Sequence, residues 1–149
     1  FSAELGSRDG WLDGPLVPET SAECRAELGD AQCRVALAGR TRRAVVAGVS
    51  GDALTLTGSW AGDSLAFGRL RWLDGAARGL WSVIVAQDGA VLTLGDMPAG
   101  AGLAGQRVEL IDGCDKRAAT CAARFGNIAN FRGEPHLPGM DLLTRFPGG

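Results

Sequence analysis

The sequence predicts a mainly β fold, a small antiparallel barrel or sandwich of about six strands with short helices at its cysteine-bearing ends. Three observations carry this. Glycine occurs 23 times and tyrosine not at all, a composition rich in turns and poor in aromatic anchors. Between Arg42 and Ile111 short apolar stretches alternate with period two around polar turns. The four cysteines lie outside that region, as Cys24 and Cys33 before it and Cys114 and Cys121 after it.

The strands follow in order. RRAVVAGV, the turn SGD and ALTLTGS form one hairpin. LAFGRLRWL, the loop DGAARG and LWSVIVAQ form a second, turning at Asp74 and Gly75. AVLTL and QRVELI add two more strands, separated by the loop GDMPAGAGLAG. Before the strands, residues 1–19 read as an extended lead-in punctuated by Gly and Pro, and residues 20–149 as the domain. Thr20 to Glu23 fit a Thr-x-x-Glu capping box, which predicts a short helix stopped at Gly29 and Asp30. After Gly113, Asp115 is a candidate N-cap for the helix KRAATCAARF, with Gly126 as its stop. From Asn127 onward Gly or Pro recurs every few residues, so this segment is expected to drape irregularly over the core.

At 149 residues the chain fits one domain with a hydrophobic core of its own. Fifteen Lys and Arg against 17 Asp and Glu give a net charge of −2, so no global basic field recruits nucleic acid or acidic lipid. No apolar run approaches the ~20 residues of a membrane-spanning helix. The chain opens on FSAEL with no initiating Met, which reads either as the result of a removed leader or, as FSAEL suggests, as the middle of a longer protein.

Residues 34 to 113 separate the two cysteine pairs, so if they form the strands, both ends of the domain meet and one site can reach all four thiols. The residues leave four readings open. Disulfides suit a small secreted protein, but this core is large enough not to need them. A structural zinc site usually carries a Cys-x2-4-Cys knuckle, and both pairs here are wider. An iron–sulfur cluster is broader than an ion and takes ligands from longer spacings. Finally, the cysteines can be buried small hydrophobes without a ligand.

CRAELGDAQC, a β stretch, then GCDK-x4-C-x3-FGN-x2-NFRGEPHLPG resembles the C-terminal domain of the phage minor tail protein L family. It is more similar to that family's relatives, the baseplate hub proteins of gene transfer agents and siphophage-like tails. The resemblance covers nearly all of this chain and about half of a full-length member, with FSAEL at the handover from an N-terminal hub domain. The lead-in departs from the family in being shorter and richer in glycine. The resemblance implies that Cys24, Cys33, Cys114 and Cys121 ligate a [4Fe–4S] cluster. It further implies a non-enzymatic structural protein of a tail tip, made in the bacterial cytoplasm and located in the virion or tail particle. A homotrimeric hub would contact the distal tail protein and the central fibre proteins, without a membrane span or direct nucleic-acid binding. The rival expectations are an iron–sulfur electron-transfer protein and a zinc-stapled interaction module. Four protein thiolates leave no iron open for catalysis.

Other residues read more plainly. His136, the one histidine, has no partner at an informative spacing and reads as a hydrogen-bonded structural residue. In Asn130–Gly133, amides facing sulfur and a turn brace with a core plug at Phe131 are equally supported. Trp60, Trp72 and Trp81 are expected in the core or on a sheet face, and an exposed one would mark a subunit contact. Arg40, Arg42 and Arg43 read as a solvated turn, with a phosphate site as the sharper alternative. Asp112 and Asp115 read as caps.

Overall fold

A computed structural model describes residues 20–60, 62, 64–99 and 103–136. The lead-in 1–19 and the last residues, 137–149, lie outside these. Strands β1 (Thr41–Ser50), β2 (Ala53–Leu56), β3 (Arg69–Trp72), β4 (Trp81–Asp88), β5 (Val91–Leu94) and β6 (Arg107–Ile111) close into an antiparallel barrel. Their order around it is β1-β2-β5-β4-β3-β6.

Closure depends on the two long strands. The first half of β1 pairs with β6 and its second half with β2, and the register shifts between Val46 and Gly48. β4 likewise pairs first with β3 and then with β5, with a shift between Ile84 and Ala86. An extra residue at a bulge bends the strand and increases its twist, so each long strand turns a corner from one neighbour to the next. The β1–β2 turn is two residues, Gly51 and Asp52, between the paired Ser50 and Ala53, with Gly51 at positive φ as a tight hairpin requires.

Alternation selects the core. Leu54 and Leu56, Leu70 and Trp72, Leu92 and Leu94, Val108 and Leu110 point inward at i and i+2 and are all buried. Trp72 donates its indole N–H to Ser82 Oγ at 3.4 Å, which satisfies both polar groups inside. Trp60 packs partly against this core, whereas Trp81 stands outside on β4.

Helix α1 (Ala118–Phe125) follows β6 and ends as the sequence predicts, with Gly126 in the left-handed conformation and its amide bonded back to Ala122. It begins two residues later than expected. Asp115 nevertheless serves its entrance, accepting from the Arg117 amide at 3.0 Å and the Thr120 hydroxyl at 2.7 Å. The helix expected from the capping box at Thr20 does not form. Residues 20–36 are turns and irregular chain, because their amides bond across the molecule instead of along a helix. Cys24 N–H reaches the Lys116 carbonyl at 2.8 Å, and Arg25 N–H the Arg132 carbonyl at 3.1 Å. Glu23 N–H turns back to Ser21 Oγ, a local side-chain turn that competes with a helical start.

Candidate metal centre

One cavity at the end of the barrel is lined by all four cysteines, Cys24, Cys33, Cys114 and Cys121. All four are free thiols, Cys121 buried and the others partly so. Leu28, Val35, Phe125 and Phe131 give the cavity apolar walls. Both sequence pairs, 24/33 and 114/121, thus share one site.

Each cysteine is placed differently. Cys24 lies on a strip of chain laid against residues 132–134. Glu134 N–H donates to the Ser21 carbonyl at 2.8 Å, and the Arg25 guanidinium grips the Glu134 carboxylate through two 2.8 Å bonds. Gly133 presses against this strip so closely that a Cβ there would come within 2.5 Å of the Glu23 carbonyl oxygen. Cys33 closes a turn organised by Asp30, whose carboxylate accepts from the amides of Glu27, Gln32 and Cys33. Those donors, the Cys33 amide foremost, hold the Asp30 carboxyl below its usual range. Cys114 leaves β6 through Gly113, where any Cβ would overlap the Ala66 carbonyl. Cys121 sits in α1 on the face toward the other thiols.

Several N–H groups point at the sulfurs. Arg132 N–H approaches Cys24 Sγ at 3.3 Å, and Asn127 Nδ2 lies 3.6 Å from Cys33 Sγ while donating to the Cys33 carbonyl at 2.6 Å. Asn130 orients Asn127 by donating to its Oδ1 at 2.8 Å. The Lys116 amide donates toward Cys114. Asn130 braces the turn and the Arg132 amide faces sulfur, whereas Phe131 is half-buried and lines the thiol cavity instead of plugging the barrel core. Asn127 is the residue that the sequence reading did not single out, although it ends the FGN motif.

Electrostatics and strain mark the same place. Burial, followed by the nearby thiols Cys114, Cys24 and Cys33, pushes the Cys121 thiol up. Burial likewise raises Cys114, against the lowering effect of the Lys116 amide. Mutual repulsion of thiolates is what four converging sulfurs experience until a cation neutralises them. Of the three described non-glycine residues at positive φ, Arg34 follows Cys33 directly and Lys116 follows Cys114 by two. Such backbone is costly, and it persists where the surroundings impose it.

Among the described residues no group of three or more His, Cys, Asp or Glu is placed to hold a single metal ion. The four thiols line one cavity with largely apolar walls, and N–H groups are directed at the sulfurs of Cys24, Cys33 and Cys114. His136 is exposed and does not line the cavity. It has no hydrogen-bond partner among the described residues, so the structural role expected for it is not supported.

The chain beside the site corrects two further expectations. Asp112 is not a cap but a buried carboxylate that receives Arg40, Arg42 and Arg124. Arg40 and Arg42 are accordingly not a solvated turn, and Arg43 pairs with Glu109. Arg124 also donates to the carbonyls of Gly113 and Ser64, and Arg40 to that of Arg124. Helix α1, with Cys121, is thereby fastened to the barrel.

No helix among the described residues is long and apolar enough to cross a membrane. No curated protein matches the chain. The solved structure "Virion of native gene transfer agent (GTA) particle" contains a chain that is similar at 36% identity with a TM-score of 0.74. The match covers 93% of this chain and 51% of that one, so the present chain spans about half the length of its virion relative. A family model described as "Phage conserved hypothetical protein BR0599" matches residues 63–141, which include Cys114 and Cys121. By that match over more than half its length, the chain belongs to the phage conserved hypothetical protein BR0599 family.

Proposed function

We propose that this chain is a structural component of a phage-like virion, a tail-tip or baseplate-hub domain whose four cysteines hold a [4Fe–4S] cluster. The observation that carries the reading is the meeting of Cys24, Cys33, Cys114 and Cys121 in one cavity, on a chain 36% identical to a gene transfer agent virion protein. Bound there, the cluster supplies cross-links rather than turnover, because four thiolate ligands leave its irons closed to substrate.

The chain's own residues do the rest. The amides of Arg132 and Lys116 and the Asn127 side chain stabilise negative charge on sulfur. The apolar walls limit water. The linkage ties the strip around Cys24 to the segment after β6, and it closes the loop from 34 to 113. In the hub the domain would stand in a homotrimer, between the distal tail protein and the central fibre proteins.

Complementation of a tail-producing strain tests the assembly role. With Cys114→Ser or Cys121→Ser, few intact particles are expected, and the wild-type chain should be found at the tail end of purified particles. Normal particle yield without the chain would overturn it.

A further inference from the structure

The outer face of the barrel at β3 and β4 differs from the rest of its surface. Trp81, Val83 and Val85 point outward at i, i+2 and i+4 and are 45%, 51% and 47% exposed. They form an apolar stripe about 13 Å long at a strand's rise per residue, with Val85 at the bulge where β4 bends. Gly95 lies beside it, and a Cβ there would meet Val85 and Val83, so the stripe is flat on that side. Phe67, 61% exposed, extends it toward the cysteine end, where an open groove of mixed charge, with Glu23 and Asp115 beside Lys116 and Arg117, begins at Val83 and Phe67.

The stripe has a basic edge. Arg69 and Arg71, outward on β3, place their guanidinium carbons 5.7 and 5.6 Å from the Trp81 ring centre. Neither forms an ion pair among the described residues, whereas Arg40, Arg42, Arg107 and Arg124 all do. We propose that this face docks an extended segment of another protein, one that carries aliphatic side chains and carboxylates. The proposal rests on the reading of the chain as an assembly component, but not on the cluster.

Charge decides among the occupants. An isologous second copy would bring two Arg69–Arg71 pairs together, while the acids nearest the stripe, Glu109 and Asp96, are already engaged by Arg43 and by the Val83 amide. Nucleic acid would use the arginines and stack on Trp81, but it leaves Val83, Val85 and Phe67 without apolar contact, and the chain's net charge is −2. A carboxylate-bearing aliphatic segment satisfies both the stripe and its edge. Because the barrel is closed, β4 has no free edge, so recognition is through side chains and not through strand addition.

The test uses the purified full chain labelled with 15N. The probes are an eight-residue peptide of alternating Asp and Val, its Lys/Val counterpart and an oligothymidylate. The Asp/Val peptide is expected to shift the amide signals of residues 69–71 and 81–85, at least tenfold more tightly than the Lys/Val peptide. The double variant Arg69→Glu, Arg71→Glu should reverse that preference, and Val83→Asp should abolish binding with the fold intact. Equal binding of both peptides overturns the proposal. So does oligothymidylate shifting the same signals more tightly, or a concentration-dependent dimer that Val83→Asp disrupts. Particle yield without the chain tests the assembly role separately, so failure of one reading is distinguishable from failure of the other.

Discussion

The backbone amide of Arg132 meets Cys24 Sγ at 3.3 Å, joining two residues 108 positions apart at the rim of the thiol site. Next to it, Gly133 lies flat against the carbonyl of Glu23, and this close approach sets the distance between amide and sulfur. Gly133→Ala is therefore expected to destabilise the domain by about 1–3 kcal/mol through overpacking against backbone. Urea denaturation measures the loss, and faster exchange of the Arg132 amide locates it. Wild-type stability would mean that the strip does not seat here.

Asp112 holds three arginines while buried, yet each arginine keeps over a quarter of its side chain in solvent. Asp112→Asn keeps the shape and removes the charge, so the expected loss is about 1.5–3 kcal/mol, the range for hydrogen bonds to charged groups. The same variant should speed amide exchange in α1, which this carboxylate ties to the barrel. Equal denaturation midpoints for the variant and the wild type would show the network to be energetically idle.

The clasp between Arg25 and Glu134 gives a pH dependence. The Arg25 hydrogen bond lowers the Glu134 carboxyl from an ordinary 4.5 to about 2. A folded value below the unfolded one stabilises fully above about pH 4.5 and is lost as the pH falls toward about 2. Asp74, lowered by Arg107 from an ordinary 3.8 to about 2, titrates within that window. Glu134→Gln should flatten, but not abolish, the fall in stability between those limits. Identical slopes for variant and wild type would remove the clasp from the account.

Much of the barrel was legible because its signals are local. SGD and DG each mark a turn, and the pairs Leu54/Leu56 and Leu70/Trp72 show period two within four residues. What failed depended on partners far along the chain. The capping box at Thr20 is a sound local signature, but the amides of Cys24 and Arg25 find carbonyls at 116 and 132. Asp112 looked like a cap, while its arginines at 40 and 42 are 72 and 70 residues away. Cys33 and Asn127 are 94 residues apart, so only the fold could reveal that contact. The meeting of the two cysteine pairs was legible for a topological reason. A closed barrel inserted between them brings its two ends together.

Cys114→Ser and Cys121→Ser are expected to lower stability by ~3–5 kcal/mol, by analogy with a covalent link that closes a long loop. Hydrogen exchange should loosen residues 113–136 before the barrel strands. Uniform loosening across β1–β6 would mean that the thiols support the core rather than a separate end.

The most direct measurement is the metal itself. The chain, purified without oxygen, should be brown and contain about four irons and four sulfides, as a cluster with four cysteine ligands requires. Each of the four Cys→Ser variants should lose most of that iron. Stoichiometric zinc without iron under the same handling would contradict the account, and so would four free thiols with no metal.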